Sequence, residues 1–452
     1  MLRINSAQLS SARNALALAS RGLSTSSLSS PSTIENIPGK SNNSNPKIRL
    51  ELRVNSAPQS TPKAETPKPQ RKPKLSLQEL NSYLEHNIGS YNHISSFSDL
   101  PLEFGYNQHI SIDNEIRERL RALLWKFNAP IKYAFTYGSG VFSQGKASDA
   151  KKPQIDLIFG VSYTEHWHSL NMKQHPEHYS FLKHFGSGAV SFVQEKLGAG
   201  LYFNPYVEMD GLKIKYGVVN IDTMLTDLHK WDTLYLAGRL HKPVKILRDE
   251  PRVRFVNQAN LISALRTALL ILPEEFSELD LYKTVAGISY MGDPRMTFGE
   301  NPNKVNNIVN NQFLNFRNLY SSLLDVLPNV TLVHSSASKL PGTEIPIASL
   351  RQDMDPIKRG NMVFRLPEEF RKKVYNRFQG KYERVETDGT SLQSTLFDQQ
   401  IAADPTLTAN VSQAIRSTVA WPSLTQSAKG ILTAGIGRSI RYAGEKIKKS
   451  RM

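Results

Sequence analysis

The sequence predicts an α+β protein: a domain built on a mixed sheet with helices, then a smaller, mostly helical domain, then a basic amphipathic C-terminal helix. Three observations predict this. Lys132 to Tyr137 and Ile155 to Val161 are β-branched and aromatic runs separated by turn-rich residues, as neighbouring strands require. Beyond Pro251, apolar residues recur at helical spacing in several stretches. Over Lys429–Arg451, Leu432, Ile436, Ile440, Ala443 and Ile447 share one stripe about 80° wide, with Arg438, Arg441, Lys448 and Lys449 off it.

Taken in order, residues 1–34 hold no Asp or Glu and set Arg3, Arg13 and Arg21 among Ser, Ala and Leu. That is the composition of a mitochondrial transit peptide, with a cut expected near Leu23–Ser24. Residues 35–74 are rich in Pro, Ser, Asn and Lys. They offer too little apolar surface to offset the entropy of ordering, so a disordered linker is expected. The first domain spans 75–250. Asp113–Phe127 reads as a helix with Ile116, Leu120, Leu123, Leu124 and Phe127 on its core face. Phe185–Leu197 and Asp222–Gly238 read as helices on either side of a strand at Leu212–Val219. The second domain, 251–427, opens with the apolar helix Val256–Leu272, interrupted by Arg266 and therefore too short to span a bilayer. Helices at Leu279–Tyr290, Val305–Leu327 and Pro367–Arg377, a strand at Asn329–His334 and a loop at 384–408 follow. The tail helix is placed at 428–452.

A chain of 452 residues is ample for two cores. It has no cysteine, which excludes disulfides and thiolate chemistry. Its net charge of +16 invites a nucleic-acid reading. The distribution opposes it: about +9 lies in residues 1–76 and about +6 in 429–451, leaving the body close to neutral. No nucleic-acid partner is expected.

The chemistry gathers between the two predicted strands. Gly138-Ser139-Gly140 leaves the first strand, and with no Cβ in the way its backbone N–H groups can approach a polyphosphate closely. Asp156 is the only acid in an apolar strand. An ionised carboxylate there needs a partner or a metal, and Mg²⁺ bridging phosphate oxygens meets that need. Lys213 and Lys215 share one face of the following strand, and Lys215 either points to solvent or neutralises a triphosphate. Asp227 either closes the site as a second carboxylate or merely caps a turn or pairs with Arg239. The histidines His166, His168, His175, His178 and His184 read as polar lining of a cleft. Zinc is disfavoured without cysteines or a His-Glu-x-x-His helix.

The turn and carboxylate resemble the signature of the nucleotidyltransferase superfamily. The wider wording is more specific: Tyr137-Gly138-Ser139-Gly140-Val141-Phe142, Ile155-Asp156-Leu157-Ile158-Phe159, Trp167-His168-Ser169, His178-Tyr179-Ser180, Ile214-Lys215-Tyr216-Gly217-Val218, and Leu234 to Arg239 with Lys242-Pro243-Val244-Lys245. Together these resemble the mitochondrial translocator assembly and maintenance family, the mitochondrial phosphatidate cytidylyltransferases, over about residues 78–450. The resemblance implies a nucleotidyltransferase-like domain followed by a winged-helix-like unit. It implies that CTP and phosphatidic acid give CDP-diacylglycerol and pyrophosphate with Mg²⁺, feeding cardiolipin synthesis on the matrix side of the mitochondrial inner membrane. It would put Tyr137, Gly138, Ser139, Gly140, Arg239 and His168 on nucleotide or lipid phosphate, Asp156 on the metal, and Lys215 and Asp227 in catalysis.

One departure follows. The superfamily's Asp-x-Asp has Gln154 or Ile158 where a second carboxylate would stand, so the metal shell must be completed by Asp227, Asp222, Glu208, phosphate oxygens or water. The basic tail is expected to lie on an anionic membrane surface through Lys429–Arg451, docking on the protein's own body being the alternative. Two other functions compete: an RNA-directed nucleotidyltransferase, which needs a basic groove, and a non-enzymatic inner-membrane assembly factor.

Overall fold

A computed structural model describes residues 103–142, 154–298, 301–383 and 394–435. The expected transit peptide and linker, and the tail beyond Gly435, lie outside the described residues. The strands are β1 (Tyr133–Tyr137), β2 (Ile155–Val161), β3 (Leu201–Met209), β4 (Leu212–Asn220), β5 (Lys245–Arg248), β6 (Glu275–Ser277), β7 (Val330–Lys339) and β8 (Pro346–Gln352). The α-helices used below begin with α1 (Asn114–Leu124), α2 (Thr164–Gln174), α3 (Gly186–Lys196), α4 (Ile221–Lys230), α5 (Ala237–Leu240), α6 (Pro251–Ile271) and α7 (Glu278–Gly287). They continue with α8 (Pro294–Phe298), α9 (Lys304–Asn311), α10 (Phe313–Leu324), α11 (Pro356–Phe364), α12 (Glu368–Tyr375), α13 (Leu396–Ala403) and α14 (Leu407–Ala434).

Alternation in the first two strands builds a mixed five-stranded sheet in the order β3-β4-β2-β1-β5. β2 and β4 run parallel and the other neighbours antiparallel. Because successive side chains point to opposite faces, the sheet feeds two cores. Phe135, Ile158, Phe203 and Val219 join the larger one with α6 and α7. Ala134, Leu157, Phe159 and Tyr216 join Leu120, Leu123 and Trp167 on the other side. Helix α1 starts at Asp113, whose carboxylate accepts from the N–H groups of Glu115 and Ile116. β3 was not foreseen because Pro205 interrupts its run. As an edge strand it tolerates that proline, with a bulge between Asn204 and Val207.

Helix α6 is buried along almost its whole length, Arg266 included. The core it enters runs unbroken from Phe104 to Val419, across the boundary expected at residue 251. The second sheet, β6-β8-β7, is antiparallel. Among the described residues no helix is long and apolar enough to cross a membrane.

Four expectations are corrected. Asp222–Gly238 is not one helix: α4 ends at Lys230, Trp231 turns left-handed at φ 55°, and α5 restarts at Ala237. Val305–Leu327 breaks at Gln312 into α9 and α10. The loop at 384–408 contains α13, opened by a reciprocal cap between Thr395 and Asp398. The tail helix does not begin at 428; α14 runs continuously from Leu407.

Candidate active site

Strand pairing brings the predicted residues together. Tyr137 stands opposite Asp156 in the β1–β2 register, and Asp156 opposite Lys215 in β2–β4. The Lys215 ammonium lies 3.2 Å from the Asp156 carboxylate and 4.6 Å from the centre of the Phe203 ring. Thr136 fixes the strand beneath by donating its hydroxyl to the Asp156 carbonyl at 2.9 Å. Gly138 leaves β1 at φ +85°, where L side chains are strained, and a Cβ there would stand 3.6 Å from the Asp156 carboxylate. A Cβ on Gly140 would collide with the Gln154 carbonyl at 2.7 Å. The turn closes through Val141 and Phe142 N–H donating to the Gly138 carbonyl. The glycine bend and the strand aspartate are therefore adjacent, as the sequence reading expected.

Arg239 extends the site. Its guanidinium stacks 3.8 Å from the Tyr235 ring, donates to the Tyr235 carbonyl, and reaches the Tyr137 hydroxyl at 3.4 Å. Burial raises the Tyr137 phenol above its usual range, and the neighbouring Arg239 opposes that shift.

Asp227 is not at the metal position. Its buried carboxylate accepts from Thr233 N–H at 3.1 Å, Thr233 hydroxyl at 2.6 Å, Leu236 N–H at 2.7 Å and Ala237 N–H at 3.0 Å. Four donors leave its oxygens committed to the loop that carries Arg239. Of the roles open in the sequence, second carboxylate, cap or partner of Arg239, the cap is the one the geometry supports. Asn260 pins the same loop by donating to the Ala237 carbonyl and accepting from the Trp231 indole at 2.7 Å.

His168 is also misplaced by the sequence reading. It is fully buried on the Tyr216 side of the sheet, opposite to Asp156, bonded to the Tyr179 hydroxyl at 2.9 Å and the Gln194 amide oxygen at 2.8 Å. Burial lowers its pKa to about 4, so it is neutral. His175, Glu177 and His178 lie close enough to share an ion. The two rings stack nearly parallel, 4.5 Å apart at 9°. In-plane lone pairs of parallel rings do not converge on one tetrahedral centre, which disfavours zinc in this arrangement.

Lys242, Arg295 and Lys304 were missed. The Lys242 ammonium donates to the Gly238 carbonyl and, at 2.7 Å, to the Ser289 hydroxyl. Burial, then Arg239 and Lys304, press it well below the ordinary lysine range. Lys242 and Lys304 approach the Tyr290 ring at 5.1 and 5.5 Å. Arg295 is held bidentate by Asp293 and its charge reaches Arg239. The one sequence signal was the Lys242-Pro243-Val244-Lys245 string. Lys304 is sixty residues distant and arrives only by folding.

For a metal, Asp156 supplies one hard oxygen donor, which suits Mg²⁺ completed by phosphate oxygens and water. Asp222 is no help: it follows the far end of β4, about 16 Å along the strands from Asp156. Glu208 shares the Asp156 face but sits two strands away, about 10 Å across the sheet. A cavity of about 370 Å³ lined by Met354, Arg359 and Asp404 lies elsewhere. There Arg359 faces the Leu269 and Leu270 carbonyls at the end of α6, a helix-terminus cap rather than a substrate site.

A glycine bend, one carboxylate and nearby cations are groups whose chemistry suits a phosphorylated substrate. Residues 120–449 match the family described as "Phosphatidate cytidylyltransferase, mitochondrial". The chain belongs to that family. It is 40% identical over 352 residues to the protein of that name from Schizosaccharomyces pombe, covering 76% of this chain and 86% of the relative. It is 39% identical over 335 residues to the one from Xenopus laevis, covering 73% and 94%.

Proposed function

We propose that this chain is a mitochondrial phosphatidate cytidylyltransferase, transferring CMP from CTP to phosphatidate to give CDP-diacylglycerol and pyrophosphate. Family membership supports the reaction, and the observation that carries the site is the Asp156–Lys215 pair against the Gly138 bend, flanked by Arg239 and Lys242. The phosphatidate oxygen forms a bond to the α-phosphorus of CTP as the α–β bridging bond breaks and pyrophosphate leaves. A phosphate monoester has a second pKa near ~6, so this nucleophile is already anionic and no strong base is needed. Catalysis is then positioning and charge neutralisation.

In this reading the N–H groups of Gly138, Ser139 and Gly140 hold the triphosphate, and Lys215 and Arg239 neutralise its oxygens. Lys242 and Lys304 extend the cradle, where an arriving polyanion relieves the repulsion that now burdens the Lys242 ammonium. Asp227 is a positioning residue that fixes the Arg239 loop. Asp156 would hold Mg²⁺, which when bound supplies charge neutralisation on the phosphates. We read the five-stranded sheet as nucleotidyltransferase-like and the β6-β8-β7 sheet with its helices as winged-helix-like. The working place is the matrix face of the inner membrane, upstream of cardiolipin.

The deciding experiment incubates purified protein with radiolabelled CTP, Mg²⁺ and either phosphatidate or an RNA primer. Label in CDP-diacylglycerol is expected. Label in RNA, or in neither, overturns the proposal.

A further inference from the structure

Resting on the lipid-substrate reading, we infer that the exposed side chains of Phe181, Phe185 and Phe192, together with the outward face of α14, form a second lipid-contacting surface. It seats the enzyme on an anionic bilayer alongside the basic tail.

The surface begins with a feature that corrects the sequence reading. Lys429, expected on the membrane, is buried: its ammonium donates to the Gln194 carbonyl at 3.0 Å and to the Leu197 carbonyl. It caps the C-terminal end of α3 and ties α14 to it. Gln426 extends the seam, accepting from Ala199 N–H at 3.1 Å and donating to the Leu201 carbonyl at 3.1 Å. At its end α14 reaches Ser180, 4.0 Å from where a Cβ on Gly435 would stand. The last described residue is thus beside the start of the Phe181 segment.

The elements joined here leave large apolar groups in solvent. Phe181, Phe185 and Phe192 are 51%, 70% and 61% exposed, and Trp421 and Ile431 are 70% and 54% exposed. Leu197, Leu424 and Leu432 are also exposed. Phe181 and Phe185 meet edge to face with ring centres 6.4 Å apart. A soluble helix normally turns charge outward. Between Ser417 and Gly435 the only charged residue is Lys429, and it faces inward. The outward positions Ser417, Trp421, Leu424, Ala428 and Ile431 are all uncharged.

Charge and continuity identify the occupant. Residues 436–452, which continue directly from this junction, carry six basic residues against Glu445 alone. Exposed aromatic and aliphatic groups in a chain that continues into concentrated basic residues are the composition that partitions into the headgroup boundary of an anionic bilayer. The family's lipid substrate resides in such a bilayer.

The test uses the full-length chain with vesicles of phosphatidylcholine, with and without phosphatidate. Changing Phe181, Phe185 and Phe192 together to Ser should lower flotation with phosphatidate vesicles about tenfold or more. Turnover of vesicular phosphatidate should fall in parallel, while turnover of detergent-dispersed phosphatidate stays as in the wild type. Undiminished flotation of the triple variant overturns the proposal. If that variant loses the detergent activity too, Phe185→Trp replaces it: quenching of its added fluorescence by brominated acyl chains supports insertion, and none overturns it. Self-association abolished by the triple variant without change in flotation assigns those side chains to a second copy instead. A wild type inactive on detergent-dispersed phosphatidate refutes the enzyme reading, separately from the surface.

Discussion

The two faces of the five-stranded sheet both carry polar groups and use them in different ways. On one face Asp156, Lys215 and the Gly138 bend lie near Arg239, and beside Arg239 burial, and then the neighbouring cations, press Lys242 well below its ordinary range. On the other, His168, Asn171, Tyr179 and Tyr216 bond to one another in a buried network that continues to Gln194 and His178, Asn171 donating to both tyrosine hydroxyls at 2.9 Å while its own amide oxygen is left without a partner among the described residues. The difference is one residue of register: Asp156 and Leu157 are neighbours in sequence and belong to different chemistries. A group answered by its neighbours is structural. In the proposed reading, the cations gathered on the first face are those that a phosphate ligand would neutralise.

Breaking the first face should cost most. Asp156→Asn is expected to lower kcat/KM on the order of 10²–10³-fold, measured with CTP and phosphatidate. A near-wild-type rate with the same Mg²⁺ dependence would refute its role. Arg239→Met removes the charge proposed to meet phosphate, and should raise KM for CTP by about tenfold or more, leaving the melting temperature close to wild type.

Asp227→Asn sharpens the contrast between ligand and positioning residue. It turns an amide N–H₂ toward two of the four donors and should destabilise by about 1–3 kcal/mol. The Mg²⁺ concentration for half activity should not change, and a shift in it would return Asp227 to the metal shell.

The smallest effect on turnover belongs to the second face. His168→Gln should leave activity within about twofold, since the residue touches no reacting group. Its folded pKa of about 4 lies below the ordinary 6.5, so the folded chain resists a proton that the unfolded chain takes up. That contribution is fully present above 6.5 and is lost as pH falls toward about 4. Urea unfolding across this window should show a shallower acid loss in the variant than in the wild type.

The sequence made the first face legible and the second misleading for identifiable reasons. The strand-bend-strand unit is local: period-two runs, glycines and one acid announce it within thirty residues. Asp227 and Arg239 were legible as a pair but not in role. Trp231, Leu234 and Leu236 continue a helical spacing while being buried in a loop that a carboxylate holds together. Trp231 and Leu234 take positive φ there, which no side-chain pattern reveals. His168 was assigned to substrate because its motif is distinctive, but a motif does not say which side of a sheet its helix covers. Lys242 and Lys304 required the approach of α5 to the segment after α7, where a Cβ on Gly238 would stand 2.4 Å from Ser289. Lys429 looked like tail charge because its neighbours downstream are basic; only the carbonyls at the end of α3 distinguish it.

The contact between Gly140 and the Gln154 carbonyl has an engineering consequence. The chain departs from the sheet and rejoins it at a single pinched neck, so the length of the intervening excursion is decoupled from the β1–β2 ladder. Entropy of closing such an excursion grows only with the logarithm of its length, by about 0.6 kcal/mol per doubling. The β1–β2 alignment should therefore tolerate a change in the number of residues between Phe142 and Gln154.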